Sequence, residues 1–483
     1  MSDILTPDIC IIGGGPAGIA AAQAAAAERV AVVLVEKGTL GGSDLACGAV
    51  PARALLAAAE TYELLRRGPA MGVTGAPLQV NFARLREHIA AVSDAVAMNV
   101  TAERLGLLGI RVVNAAGRFG DPDTLVAGDL TIRARRFILA VGTVPQAPEI
   151  AGLDSIEAMT VAGAFDLSRK PTHMIVLGAG REGLELAQAY NRLGIDATVL
   201  DRDPALPGID PELSAIVVDR LRAEGIRVRL GVDIVSVGRR RGGIRFTVVN
   251  DPEGETAAID GSHLLIASGR RPNVDELGLD AAGIRADSRG IVVDRRLRTA
   301  NRRVYAIGDA VGGAADAALA EQQARRVVRS ILFRLPLLDR PEAAPFVAFT
   351  DPAVAVVGLD EASARKRYGR GVRVLRFPFA ESRRAEIERL PAGMIKVVVG
   401  RRGRVLGAGI VGHDAGEMIA LWSLAVARHL PIGVIADLPT PYLTGAEISR
   451  RVAMSLTERQ APDERAAARP WRRRLIGLLG KFG

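Results

Sequence analysis

Cysteine is nearly absent from this chain of 483 residues: only Cys10 and Cys47 occur. Two thiols exclude a structural disulfide framework and any multi-cysteine zinc or iron–sulfur centre, and no metal site is expected. Aromatic residues make up 4 % of the chain, and lysine contributes five of the 63 basic side chains, so arginine carries the positive charge. No uninterrupted apolar run reaches the roughly 18 residues that cross a bilayer. No basic segment leads into an apolar stretch at the N-terminus, so no secretory signal is expected and the body reads as cytoplasmic. Acid is missing from one stretch: residues 465–483 hold Arg465, Arg469, Arg472, Arg473, Arg474 and Lys481 with no Asp or Glu. Six of the nine net positive charges sit there, which leaves three for residues 1–464. A body so close to neutral gives no electrostatic footprint for nucleic acid.

What is present is apolar residue at 49 %, 53 glycines, and length for about three domains. The glycines cluster at strand ends. Asp8–Ile12 reads as a short buried strand, followed by Gly13-Gly-Gly-Pro-Ala-Gly18, an alanine-rich helix over Ile19–Glu28 and a second strand over Val30–Val35 that ends at Glu36. Gly13, Gly15 and Gly18 have the G-x-G-x-x-G spacing, and Glu36 stands near the distance of about 20 residues at which an acid meets a ribose. Glycine there lets the backbone approach a pyrophosphate at a helix N-terminus. The pattern repeats: a strand over His173–Leu177, a turn with Gly178, Gly180 and Gly183, a helix over Leu184–Leu193 and a strand over Ala197–Leu200 ending at Asp201. Two dinucleotide sites imply one flavin and one nicotinamide cofactor; the alternative is one working site and one relic. Asp201 favours a ribose 2′-hydroxyl and hence NADH, while the adjacent Arg202 leaves NADPH open. Further strands end in glycine, at Phe137–Val141 before Gly142, Leu264–Ala267 before Gly269, and Val304–Ile307 before Gly308-Asp309.

As a set these residues resemble the pyridine nucleotide–disulfide oxidoreductases, the flavoenzymes that include dihydrolipoamide dehydrogenase, glutathione reductase and mercuric reductase. The resemblance covers about residues 7–458 and rests on Gly13-x-Gly-x-x-Gly18 with Glu36, Gly41-Gly42, Gly269-Arg-Arg-Pro-Asn273, Tyr305-Ala-Ile-Gly-Asp309, Phe349-Thr-Asp-Pro352, Val357-Gly358 and Leu406-Gly407. The implied fold is α/β, with two Rossmann-like dinucleotide-binding domains, for FAD and for NAD(P), plus a C-terminal α+β dimerisation domain. The implied division is a discontinuous FAD domain over 1–150 and 275–335, an NAD(P) domain over 151–274, a dimerisation domain over 341–458 and a basic amphipathic tail over 460–483. The resemblance further implies FAD in the first site, with Gly42 and Gly142 beside it and Asp309 on its ribityl chain. NADH or NADPH then occupies the second site, and the assembly is a head-to-tail homodimer.

The redox motif departs from the family. Where the family reads Gly-Gly-Thr-Cys-Leu-Asn-Val-Gly-Cys-Ile-Pro-Ser-Lys, this chain reads Gly41-Gly-Ser-Asp44-Leu-Ala-Cys47-Gly-Ala49-Val-Pro51-Ala-Arg53. In that register the interchange cysteine is Asp44, the flavin-proximal cysteine is Ala49, and Cys47 matches neither. A dithiol relay needs both thiols, so disulfide reduction of the usual kind is not expected. The family's His-Pro-Thr-x-x-Glu becomes Tyr442-Leu-Thr444-Gly-Ala-Glu447, with tyrosine as in mercuric reductase. Arg53 replaces the family lysine and Glu185 matches its partner glutamate, a pair placed beside the flavin N5; the alternative is two unconnected surface residues. Arg181 replaces the tyrosine that covers the nicotinamide pocket.

The implied activity is an FAD-dependent NAD(P)H oxidoreductase passing electrons directly to a non-disulfide acceptor, such as a quinone at a membrane surface. Asp44, with Tyr442 and Glu447 of the partner subunit, would line the acceptor opening, or Asp44 would only solvate a vacated cavity. On a helical wheel Trp471, Leu475, Leu478, Leu479 and Phe482 share one face and Arg473, Arg474 and Lys481 the other, as in a helix lying in a membrane interface. A disordered tail, or one packed on a partner protein, is the alternative. An electron-transfer subunit serving a protein partner and a non-catalytic FAD-binding scaffold are the competing functions.

Overall fold

The computed structural model describes residues 3–251, 254–312, 316–336 and 343–458. Residues 465–483, and with them the amphipathic pattern, lie outside the described residues. Along the chain come β1 (Ile9–Ile12), α1 (Pro16–Ala27), β2 (Val32–Glu36), α2 (Gly42–Ala46), α3 (Ala49–Arg67), β3 (Ile110–Asn114), β4 (Arg136–Leu139) and β5 (Ala158–Thr160). Then follow β6 (His173–Leu177), α4 (Arg181–Arg192), β7 (Asp196–Asp201), β8 (Arg227–Leu230), β9 (His263–Ile266), β10 (Val304–Ala306) and α5 (Ala317–Phe333). The last part holds β11 (Phe346–Ala348), β12 (Ala353–Gly358), β13 (Arg373–Pro378), β14 (Met394–Val399), β15 (Val405–Gly412), α6 (Ala415–Ala427) and α7 (Gly445–Glu458). Two compact units result: Met1–Pro207 with Leu221–Pro341, and Gly208–Arg220 with Glu342–Gly483.

The first unit holds two parallel five-stranded sheets of matching design. One runs β10-β4-β1-β2-β3, the other β5-β9-β6-β7-β8. A parallel sheet covered on both faces needs apolar residues at every position rather than alternate ones. The run Ile9-Cys-Ile-Ile12 meets that need, being fully buried along its length. Side chains still alternate in direction: Ile9 and Ile11 join the core with α1 and α5, while Cys10 and Ile12 join the core on the opposite face. Both glycine motifs follow the central strand of their sheet. Each helix begins inside its motif, at Pro16 and Arg181, three residues before the first apolar residue that marks it in the sequence. Proline suits the first helical position because its missing N–H has no intrahelical partner there.

The two sheets are joined by an antiparallel ribbon. Thr143–Pro145, leaving β4, pairs with Arg270–Pro272, leaving β9, in the register Pro145 to Arg270 and Thr143 to Pro272. Arg270 clamps it, donating from Nε to Thr143 Oγ1 at 2.8 Å and from Nη2 to the Thr143 carbonyl at 2.9 Å.

In the second unit an antiparallel sheet of order β11-β12-β15-β14-β13 packs against α6 and α7. Trp422 of α6 is fully buried and donates its indole N–H to Ser449 Oγ of α7 at 3.2 Å. Lys396 of β14 is also buried and meets three carboxylates: Asp210 at 2.7 Å, Glu212 at 2.8 Å and Glu361 at 3.0 Å. Arg376 of β13 closes the group through Glu212 and Glu361. The hydrogen bond from Arg376 holds the Glu212 carboxyl down at about 2, assisted by Lys396.

Candidate active site

The two glycine turns share one geometry. Gly13 and Gly178 have φ of +106° and +112°, and a Cβ on either would stand 2.3 Å and 2.4 Å from a carbonyl of the neighbouring strand end, at Ala140 and Ala267. Only glycine fits there. A Cβ on Gly18 or Gly183 would collide with the carbonyl of Gly13 or Gly178, at 1.8 Å and 2.0 Å, so these glycines let helix and strand touch. Gly15 and Gly180, by contrast, are the helix N-caps, both with φ −75° and ψ −176°, and a Cβ on either meets nothing within 4 Å. This is the space a pyrophosphate needs, facing the unbonded N–H groups of a helix first turn.

Each turn is braced by its acid. Glu36 accepts from the Gly14 N–H at 2.5 Å and the Gly38 N–H at 2.7 Å. Asp201 accepts from the Ala179 N–H at 2.6 Å and the Asp203 N–H at 2.9 Å. Each carboxylate oxygen keeps a further lone pair for a ribose hydroxyl. Gly42 lies over the first turn, where its Cβ would come within 3.0 Å of Gly15 Cα, and the Gly41 N–H donates to the Gly14 carbonyl at 2.8 Å. Gly142 and Gly269 flank the ribbon, each with positive φ and open space.

Asp309 follows β10, in a turn whose Gly308 N–H donates to Gln323 Oε1 at 2.9 Å. Burial pushes its carboxyl up, and the charges of Arg270 and Arg181 oppose that rise. The charge of Arg270 thus acts on Asp309 while its guanidinium clamps the ribbon. Asp44 stands in the first turn of α2, half-buried. Burial pushes its carboxyl up, the Ala49 N–H that it accepts opposes the rise, and the charge of Glu321 on α5 adds to it. Cys47 follows α2, its thiol pushed up by burial, with Arg270 opposing and Glu182 adding. Cys10 lies in the core of the first sheet, its thiol pushed far up by burial alone. Both cysteines are free. Glu185 is buried on α4 and Arg53 lies exposed on α3; the two helices pack against each other.

A family model described as pyridine nucleotide-disulphide oxidoreductase matches residues 7–324, and the dimerisation domain of the same family matches residues 344–452. The chain belongs to this family. A mercuric reductase of Streptomyces lividans is 33 % identical, covering 93 % of this chain and 96 % of its own. A dihydrolipoyl dehydrogenase of Geobacillus stearothermophilus is 34 % identical, covering 92 % and 94 %. The solved structure of LpdA from Mycobacterium tuberculosis superposes with a TM-score of 0.84 at 26 % identity, covering 94 % of this chain and 99 % of that one. As a member of the pyridine nucleotide-disulphide oxidoreductases the protein uses FAD and NAD(P)H, and its C-terminal domain makes it a homodimer. The open cradles at Gly15 and Gly180 fit those two cofactors.

The remaining candidate residues, Tyr442 and Glu447, lie in the dimerisation domain. Tyr442 is exposed, and its phenol oxygen accepts from Arg383 Nη1 at 2.8 Å. Glu447 accepts from the Leu443 N–H at 3.3 Å and pairs with Arg451 at 2.8 Å. Leu443, between the two, has a φ of +58°, a conformation that costs a non-glycine residue about 1 kcal/mol or more and that the Glu447 contact helps to hold. Asp44 lies in the first unit, Tyr442 and Glu447 in the second. Arg202 is not turned loose beside Asp201: its Nε lies 2.8 Å from Asp233 Oδ1. The sequence did not reveal Arg270, Glu321, Arg383 and Asp233 as neighbours of the candidate residues. Arg270 had a signal in the Gly269-Arg-Arg-Pro-Asn273 turn; the other three had none. Among the described residues no group of three or more His, Cys, Asp or Glu side chains could hold a metal ion, and no helix is long and apolar enough to cross a membrane.

Proposed function

We propose that this family member oxidises NAD(P)H and passes the electron pair directly to a non-disulfide acceptor, a quinone, without a dithiol relay. The reading is carried by the pair of side chains that the sequence register assigns to the family's redox sulfurs: Asp44 on α2 and Ala49 opening α3. Neither can form or open a disulfide, Cys10 is fully buried, and burial pushes the Cys10 and Cys47 thiols up. The relatives are named for mercuric ion and for dihydrolipoyl groups; this reading assigns the chain a different acceptor because of Asp44 and Ala49.

FAD, when bound, carries the electron pair between nicotinamide and acceptor. The chain's own residues do the rest. Gly15 and Gly180 with Glu36 and Asp201 bind and orient the two dinucleotides, and Arg53 with Glu185 supplies the charge beside the flavin. Replacing a cysteine with Ala49 leaves room for a flat ring. Reduction of a quinone takes two electrons and two protons; the hydride of NAD(P)H brings both electrons and one proton, and a side chain must deliver the second. Tyr442 of the partner subunit, backed by Glu447 of the partner subunit, is the donor in this reading, with Asp44 lining the same opening. The amphipathic pattern of residues 465–483 supports contact with an anionic membrane, where each cation contributes roughly 1 kcal/mol.

An acceptor screen with FAD-loaded protein tests this. Oxidation of NADH supported by a soluble benzoquinone and not by lipoamide or glutathione disulfide is the expected result. Turnover with the disulfides alone sinks the reading. Co-sedimentation of the full chain with anionic vesicles, lost on removal of residues 465–483, tests the membrane contact.

A further inference from the structure

We propose that Asp233 is a specificity residue for the nicotinamide cofactor: by holding Arg202 it denies the site a cation for a 2′-phosphate and selects NADH over NADPH. This inference concerns the donor side and stands whether or not the acceptor is a quinone.

Asp201 is fixed at the end of β7 by two backbone N–H groups, one of them from the glycine turn itself. A carboxylate so placed accepts from a 2′-hydroxyl and repels a 2′-phosphate. The next residue, Arg202, is the kind of side chain that could reverse this choice, because a guanidinium binds phosphate through a fork of donors. Its Nε is instead 2.8 Å from Asp233 Oδ1, so one side of the fork is spent. Asp233 is itself held in place. It opens the strand Asp233–Arg240, and its second oxygen accepts at 2.7 Å from Nδ2 of Asn250, which lies in the paired strand Gly243–Asp251. Asn250 adopts a φ of +59°, a left-handed conformation that asparagine tolerates better than most residues. Hydrogen bonds from Arg202 and then Asn250 hold the Asp233 carboxyl below its usual range, so it stays ionised and keeps Arg202 neutralised near pH 7. An incoming 2′-phosphate must therefore face Asp201 and displace Asp233 from Arg202. A 2′-hydroxyl faces neither obstacle.

The pair is largely exposed, so the selectivity it confers is several-fold rather than a thousandfold. The test is calorimetric titration of the FAD-loaded protein with NAD+ and with NADP+, paired with kcat/KM for NADH and NADPH. We expect the unmodified protein to favour NAD+. Asp233→Ala should tighten NADP+ about five- to tenfold while leaving NAD+ within twofold, and adding Arg202→Gln should abolish that gain. Asp233→Asn, which keeps an acceptor for Asn250 and so preserves the strand pairing, should give a gain in the same direction. The proposal is overturned if the unmodified protein prefers NADP+, if neither Asp233 variant changes the ratio of the two affinities, or if the gain survives the loss of Arg202.

Discussion

Arg383 donates to the phenol oxygen of Tyr442 at 2.8 Å. Arginine has donors and no acceptor, so the phenol must accept, and its own proton is left for another partner. A tyrosine that acts as proton donor to an acceptor has to be oriented in this sense. Tyr442→Phe is expected to lower kcat with benzoquinone about a hundredfold, within the usual range for loss of a general acid, and to leave reduction of the flavin by NADH unchanged. Stopped-flow separation of the two half-reactions checks this. Arg383→Gln should give a smaller loss of about threefold to tenfold in the same half-reaction, and none in the Tyr442→Phe background.

The thiol inventory sets an electron count. FAD accepts two electrons, and a redox disulfide beside it would accept two more. Cys10 and Cys47 are both free thiols, so anaerobic titration of the holoenzyme with dithionite is expected to end at two electrons per FAD. An end point at four would falsify the reading.

Gly15 and Gly180 separate the two cofactors. Both have backbone angles open to any residue and free space at the Cβ, so a side chain there fills the cradle without distorting the fold. Gly15→Val is expected to give folded protein, by far-UV circular dichroism, that binds FAD at least about a hundredfold more weakly, since the backbone can no longer approach the pyrophosphate. Gly180→Val should retain its flavin colour and lose affinity for NADH instead. Gly18→Ala, whose new methyl group meets the Gly13 carbonyl, should reduce the yield of folded protein.

The Lys396 cluster predicts a pH dependence. Glu212 titrates at about 2 in the folded chain against 4.5 ordinarily, so its stabilising contribution is complete above about pH 5 and is lost as pH falls toward 2. Lys396→Met leaves Asp210, Glu212 and Glu361 without their buried partner and is expected to destabilise the second unit by on the order of 3 kcal/mol at pH 7. Because those carboxylates can then escape by protonation, the deficit should shrink at pH 3. Urea titrations at the two pH values measure both.

Both glycine turns were legible in the sequence because each of the three glycines answers a separate local requirement, and local requirements leave a fixed spacing. The helix starts were less legible. Apolar periodicity marks where a helix gains its packing face, whereas α1 and α4 begin inside the glycine motif, where the requirement is backbone approach. Arg202 shows the limit most clearly. Read along the chain it stands beside Asp201 as a cation for phosphate; in the fold Asp233, 31 positions away, neutralises it. Arg383 and Tyr442 are 59 positions apart, and Arg270 and Thr143 are 127 apart, with no periodicity linking either pair. Contacts of this kind are made by topology, and a single sequence carries no trace of the partner.

The ribbon of Thr143–Pro145 and Arg270–Pro272 brings together the two ends of everything between them. To the first sheet, more than a hundred intervening residues behave as a hairpin of a few residues would, because the chain leaves and returns at paired positions. Loop-closure entropy grows only slowly with the length enclosed, so the host sheet is almost indifferent to what the hairpin carries. The second nucleotide-binding sheet is in this sense a cassette plugged into the first, and Arg270 is the pin at its socket. Exchange of one cassette for another is therefore limited by side-chain contacts rather than by chain closure, since α4 sends the charge of Arg181 to Asp309 and packs on α3.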